Sequence, residues 1–209
     1  MTVAPVHPHP PYTLKEYLEF EETSPIKHEF HNGEILAMSG ASPEHALITA
    51  NTIAALHSKL RNTDCRVYSS DLKIAVGLQP EVQYPDASII CGPPVVHPAD
   101  LKNRLVINPR VIVEVLSPTT EAYDRGEKFR QYRTLESLEE YILISQTAPQ
   151  VETFVRHADR TWIIAETFSG LDARARLRSI QVELSLADIF AGITFPPPAA
   201  NMPNDFTEK

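Results

Sequence analysis

A chain of 209 residues, 43% apolar and 22% charged, has material for one sizeable core and the charge content of an ordinary globular domain. Its net charge of −8 argues against a strong non-specific nucleic-acid binder, which is usually basic. Cys65 and Cys91 are too few and too scattered for a disulfide framework or a zinc site. The sequence shows no secretion signal and no apolar run long enough to span a membrane, so a cytoplasmic location is the expectation.

Prolines crowd the two ends, at Pro5, Pro8, Pro10, Pro11, Pro196, Pro197, Pro198 and Pro203. Residues 1–11 and 196–209 therefore read as tails around one domain over 12–195. Thr13-Leu-Lys-Glu16 is a capping box, and Leu14, Tyr17 and Leu18 follow at helical spacing, which predicts a short helix to about Glu22. Asn32-Gly33 separates Lys27–His31 from Glu34–Met38 and predicts a two-residue hairpin. Ser42-Pro43 opens a helix whose apolar stripe runs through Leu47, Ala50, Ile53, Ala54 and Leu60.

Cys65–Ser69 and Leu72–Val76 read as two strands or one bent strand, with Asp71 between them. Tyr84–Cys91 reads as a buried strand with Asp86 near its start, and a charged loop then runs to Asn108-Pro109. Val111-Ile-Val-Glu-Val-Leu116 is the most apolar run of the chain, rich in β-branched residues, and predicts a strand covered on both faces. Asp124-Arg-Gly-Glu127 reads as a second capping box, opening a helix through Lys128, Phe129 and Tyr132. Strands are expected at 140–144, 151–155 and 162–165, and Ser185 caps a last short helix. The Arg174, Arg176 and Arg178 alternation reads as the polar face of one strand. This order has too few helices for a doubly wound fold and too many for a sandwich. An α/β (mixed α+β) fold, with a mixed central sheet flanked by helices, fits it.

Glu114 is the residue that asks for an explanation. A buried carboxylate must be paired, protonated or bound to a cation. Asp86 lies on a different strand and can converge with it if the two strands are neighbours. Carboxylates about 5 Å apart repel by roughly 3 kcal/mol at an effective dielectric near 20. A divalent cation such as Mg²⁺ (or Mn²⁺) offsets that repulsion, and a metal so held acidifies water and stabilises phosphoryl oxygens. A nearby lysine would orient the water or neutralise the phosphate. Lys102 to Arg133 carries seven basic and four acidic residues, a local positive excess around Glu114.

Each candidate also has a structural reading. Pro-Asp is a common turn dipeptide, Glu114 can pair with an arginine, and Lys128 fits a solvated helix face. Glu29 alternates with Lys27 and His31 on a hairpin and reads as solvent-facing unless covered. His28, His31, His45 and His57 show no metal-ligand spacing and read as structural or surface groups.

The combination of Tyr84-Pro85-Asp86, Val113-Glu114-Val115-Leu116-Ser117-Pro118-Thr119-Thr120 and Tyr123-Asp124-Arg125-Gly126-Glu127-Lys128-Phe129 with Tyr132 resembles the Uma endonuclease family. That family sits in the PD-(D/E)XK, or restriction-endonuclease-like, superfamily. Lys27–Glu34 and Ser69-Ser70-Asp71 add to the resemblance, which runs from about Tyr12 to Phe190. It implies a restriction-endonuclease-like core with a metal site at Asp86, Glu114 and the carbonyl of Val115, approached by Glu29. The superfamily lysine two residues after the glutamate is Leu116 here. Lys128 on the next helix is the matching position. The expectation is a Mg²⁺-dependent endonuclease acting on nucleic acid, with double-stranded DNA as substrate and a homodimer suited to cutting both strands. The reading from another class is a non-catalytic nucleic-acid-binding or assembly module on the same fold.

Overall fold

The structure is a computed structural model that describes residues 11–77, 81–100, 102 and 104–195. Apart from Pro11, the expected tails lie outside the described residues. Helix α1 (Leu14–Thr23) starts at the predicted capping box: the Thr13 hydroxyl accepts from the Glu16 N–H, and the Glu16 carboxylate accepts from the Thr13 N–H. Strands β1 (His28–His31) and β2 (Glu34–Ala37) form the predicted hairpin. Asn32 and Gly33 have φ of 50° and 83°, as a type I′ turn requires. Helix α2 (Pro43–Leu60) begins at Ser42, whose hydroxyl accepts from the His45 N–H.

Strands β3 (Cys65–Ser69) and β4 (Lys73–Val76) are separate and enter different sheets. The predicted strand over 84–91 is shorter than expected, beginning only at Ala87. Strand β5 (Glu81–Gln83) ends before Tyr84, and β6 (Ala87–Cys91) begins after Asp86. The charged loop before Pro109 contains a two-residue strand, β7 (Leu105–Val106), too short to carry a periodic signal. The chain continues through β8 (Val111–Leu116), β9 (Glu140–Ser145), β10 (Gln150–Arg156), β11 (Trp162–Ser169), β12 (Arg174–Leu177) and β13 (Val182–Ser185). A short helix α5 (Leu186–Ile189) closes it, and the Ser185 side chain makes no capping bond there.

Six strands form the central mixed sheet in the order β11-β10-β9-β8-β6-β3. Strand β8 pairs antiparallel with β6 and parallel with β9, and all six of its residues are buried. Its side chains alternate between two apolar layers. Val111, Val113 and Val115 pack with Ile48, Leu56 and Leu60 of α2 and with β12, β13 and α5. Ile112 and Leu116 pack on the other face with Phe129, Tyr132 and Tyr141 and with Ile74, Val76 and Val106 of a second sheet. That sheet has the order β2-β1-β5-β4-β7 and is backed by Tyr17 of α1. The expected mixed sheet with helices on both sides is therefore present, with a second sheet layered on one face.

The segment after β8 departs from expectation. Its helix starts at Glu121, not after Asp124: α3 (Glu121–Tyr123), a π turn (Asp124–Lys128) and α4 (Phe129–Tyr132) follow one another without a break. Asp124 therefore lies inside the helical run and caps nothing. Cys65 and Cys91 also depart from expectation. They are opposed across β3 and β6 and joined in a disulfide, a pairing that their separation in sequence hides.

Candidate active site

Glu114 sits on the face of β8 that carries Ile112 and Leu116, so its carboxylate enters the layer between the two sheets. It is 3% exposed. Two groups meet it there. Lys128 Nζ is 2.7 Å from Oε1, and the Tyr132 hydroxyl donates to the same oxygen at 2.9 Å. Both arrive from the helical segment after β8, which folds back over the strand end. The π turn widens the helix between Asp124 and Lys128, and such turns recur at functional sites. Asp124 and Lys128 are both buried, with Asp124 Oδ1 3.5 Å from Lys128 Nζ. Lys128 is thus a buried ammonium in a nest of acids, in contrast to the solvated helix lysine of the structural reading.

Asp86 reaches the same place from the start of β6. The two acidic segments are interlocked: the Val115 N–H donates to Asp86 Oδ2 at 2.7 Å, and the Asp86 N–H donates to Glu114 Oε2 at 3.4 Å. Antiparallel pairing of β6 with β8 makes this possible, since Ala87 lies opposite Val113.

Glu29 comes from the hairpin in the second sheet. Its side chain is mostly covered, contrary to a solvent-facing hairpin residue, because β1 lies inside that sheet, between β2 and β5. Its Oε1 accepts from the Tyr84 N–H at 3.3 Å and lies 4.0 Å from Lys128 Nζ. His31 Nε2 lies 3.2 Å from the other oxygen of Glu29 and 3.3 Å from the Tyr123 hydroxyl, and its Nδ1 lies 3.3 Å from Glu81. Glu29, Asp86, Glu114 and Lys128, predicted from four separate stretches, come together.

Three residues assigned other roles join them. Asp124 read as a helix cap. His45 read as a structural or surface histidine, and its Nε2 is 3.2 Å from Asp86 Oδ2. Position three of helix α2, directly behind the Ser42 cap, was the available signal for His45. His31 likewise belongs to the cluster.

The electrostatics follow from burial. Burial pushes the Glu114 carboxyl up to about 8, with Asp86 and Asp124 adding to it and Lys128 opposing it. Burial also raises Asp124, against the pull of Lys128 and the Thr120 hydroxyl. For Lys128, burial disfavours the charge, but Glu114, Glu29 and Asp124 outweigh it and raise its pKa. Burial works in the same sense on His45, where Asp86 overcomes it and holds the imidazole above its usual value. In Glu29, burial is overcome by His31 and Lys128, and its pKa is lowered.

A hard divalent cation takes oxygen donors, and Mg²⁺ commonly uses one or two carboxylates with several waters. Asp86, Glu114 and the Val115 carbonyl are such donors, and Glu114 carries a burial cost that its lysine leaves partly uncompensated. The donor set therefore fits the ion. Among the described residues, the only three histidine, cysteine or carboxylate groups with ligand atoms within 4.8 Å of one another are Asp64, Cys65 and Cys91. Both thiols of that group are consumed by the disulfide.

Residues 14–188 match the sequence model of the Uma2 family, described as "Putative restriction endonuclease". The chain is 35% identical over 193 residues to the uncharacterized protein slr1290 of Synechocystis sp., covering 92% of this chain and 98% of that one. It is 34% identical over 154 residues to sll1609 of the same organism, covering 74% of this chain and 86% of the other. The fold matches the crystal structure of a "putative nuclease belonging to DUF820" from Anabaena variabilis with a TM-score of 0.67 and 20% identity, over 86% of this chain and 98% of that one.

Proposed function

The chain belongs to the Uma2 family, and from that premise we propose that it is a Mg²⁺- or Mn²⁺-dependent endonuclease that hydrolyses phosphodiester bonds in double-stranded DNA. The observation that carries this reading is the buried ammonium of Lys128, 2.7 Å from Glu114 at the point where β6 and β8 bring Asp86 in. A lysine placed there without catalytic purpose would be an expensive way to neutralise one glutamate, since apolar replacements of buried ion pairs are often neutral or stabilising.

Asp86, Glu114 and the Val115 carbonyl would hold the cation. When bound, it would lower the pKa of water and stabilise charge on a phosphoryl oxygen. The chain's own residues do the remainder. Tyr132 and Lys128 fix Glu114 Oε1, the Asp86 N–H reaches its Oε2, and the Val115 N–H fixes Asp86 Oδ2, so both carboxylates are held in place. Lys128 presents a proton donor and a positive charge to the attacking water or the scissile phosphate. Asp124 and Glu29 flank the ammonium and hold it charged. The layer between the sheets excludes bulk water from Glu114, which strengthens these contacts.

Plasmid nicking tests this reading. Supercoiled DNA should be cut with Mg²⁺ or Mn²⁺ and left intact with EDTA, and single-stranded RNA and a generic phosphodiester should be poorer substrates. Metal-independent retention of DNA without any cutting would support the non-catalytic module instead.

A further inference from the structure

Glu29 and His31 stand two residues apart on β1 and leave the strand on one face, toward Lys128 and Tyr123. Phe30 between them turns the other way and stacks on Tyr17 of α1, with ring centroids 5.1 Å apart. Glu29 flanks the Lys128 ammonium, so whatever fixes Glu29 bears on that lysine. Its Oε1 accepts from the Tyr84 N–H at 3.3 Å. Its Oε2 is met, among the described residues, by His31 Nε2 alone, at 3.2 Å. The other ring nitrogen, Nδ1, lies 3.3 Å from Glu81 Oε2. Glu81 opens β5, which pairs antiparallel with β1 so that Phe30 lies opposite Val82, and that register brings Glu81 beside His31.

The charge of the ring follows from this geometry. An ionised carboxylate only accepts hydrogen bonds, so both ring nitrogens must donate, and an imidazole carries two N–H groups only when it is charged. The side chains of His31, Glu29 and Glu81 are 10–14% exposed, so water screens them little. Burial works against the charge, and Glu29 and Glu81 overcome it and hold the ring above its ordinary value. The remaining neighbours do not compete for the charge. The Tyr123 hydroxyl of α3 is 3.3 Å from Nε2, Glu34 lies opposite on β2, and Glu127 of the π turn is within electrostatic range. The cations Lys128 and Arg130 are engaged by Glu114 and Glu127.

We infer that His31, an imidazolium clamped between Glu29 and Glu81, is the positioning residue that sets Glu29 against Lys128, and that loss of one ring proton turns the site down. The inference rests on the metal-dependent endonuclease reading given above. A neutral ring keeps a single N–H, so it can hold Glu29 or Glu81 but turns a lone pair on the other. When Glu29 is released, its Oε2 loses its anchor, and the alignment of the hairpin carboxylate with the ammonium loosens. His31 contacts none of the residues proposed to hold the cation, so the cost falls on the rate of cleavage and not on metal affinity.

Two measurements on the full chain test this. Nuclear magnetic resonance of the histidine rings, assigned through the backbone, reads the protonation state of His31. Plasmid nicking at saturating Mn²⁺, followed across the pH range in which histidines titrate, reads its consequence. Bound Mn²⁺ displaces the Glu114 proton, so that group adds no limb to the profile. The His31 ring should carry both protons at neutral pH and titrate above the ordinary histidine value, and the wild-type rate should fall along the same curve. Glu81→Gln removes one of the two carboxylates and should move both midpoints down together. His31→Gln should keep KM and Mn²⁺ affinity, lose roughly tenfold or more in kcat, and show no such limb. Melting temperatures show whether each variant is folded, and the wild-type titration and rate profile need no variant. A ring that titrates at or below the ordinary value, a rate that does not follow the ring, midpoints unmoved in Glu81→Gln, or a wild-type rate in His31→Gln would each overturn the assignment and leave metal-dependent cleavage standing. No cleavage by the wild-type chain at any pH would overturn both.

Discussion

Glu114 and Lys128 face each other at 2.7 Å in a layer where both side chains are almost fully enclosed. Each is the other's nearest opposite charge, and Lys128 is further held by Asp124 and Glu29. The catalytic proposal and the stability of the site therefore depend on the same contact.

Lys128→Ala should lower DNA cleavage by roughly 10²-fold or more, the scale of a lost catalytic proton donor. Mn²⁺ affinity should hold or rise, because a competing positive charge is gone. Enclosure adds a cost that a solvated lysine would not have: breaking a buried pair destabilises by roughly 3–5 kcal/mol, eased here if Glu114 takes up a proton. Lys128→Arg should not restore cleavage, since a planar, forked guanidinium does not reproduce the compact ammonium that this enclosed nest of acids holds. Nicking rates and urea denaturation read both effects; a wild-type rate in the alanine variant would remove Lys128 from the mechanism.

Asp86→Asn and Glu114→Gln should each abolish Mn²⁺ binding while leaving the chain folded. Amide side chains keep the shape of both groups and much of their hydrogen bonding. Calorimetry showing Mn²⁺ bound as in the wild type by both variants would mean that the cation sits elsewhere.

The pH dependence of stability follows from Glu114. Its carboxyl is raised from the usual carboxylate range to about 8, so the folded state binds its proton more tightly than the unfolded state does. That contribution is fully present below the unfolded value and is lost as pH rises toward about 8. Asp124, also raised, acts in the same direction. The metal-free melting temperature should fall as pH rises from 5 to 8, and it should fall less in Glu114→Gln. Saturating Mn²⁺ should recover the loss at the upper end. Equal slopes in the two proteins would show that Glu114 does not carry the effect.

Gly33→Ala tests the hairpin independently of the chemistry. Gly33 has φ of 83°, where an L side chain costs roughly 1–2 kcal/mol. An added Cβ would also collide with Pro11, and the next residue, Tyr12, donates to the Gly33 carbonyl at 2.8 Å. The variant should melt several degrees lower and keep its Mn²⁺ affinity at saturating folding conditions. No change in melting would mean that the segment at Pro11 does not rest on the turn.

Much of this was legible from local chemistry. The Thr13 box, the Asn32-Gly33 turn and the Ser42 cap are encoded by residues within a few positions of one another, and each appears where expected. The β8 run announced its own burial, and Glu114 within it announced a partner. What escaped depended on contacts between distant stretches. His45 was set aside because spacing was sought along the chain, whereas its neighbour Asp86 comes from a distant stretch at the start of β6. Asp124 satisfied a capping pattern that the chain does not use, since three residues of helix precede it. The Cys65–Cys91 pairing follows from the register of β3 against β6. Register is set by the turn and the buried face, neither of which a count of cysteines contains.

Tyr84-Pro85-Asp86 is the stretch where the chain leaves one sheet at Gln83 and enters the other at Ala87. Glu29 belongs to the sheet being left, while Glu114, Asp124 and Lys128 belong to the sheet being entered or to the helix that follows it. The charged cluster consequently straddles a seam. A sliding of one sheet against the other would alter the Glu29–Lys128 separation and leave Glu114–Lys128 untouched. The Glu29–Lys128 separation of 4.0 Å thus depends on how the two layers are aligned, whereas the Glu114–Lys128 contact depends on one sheet and the helix that follows it.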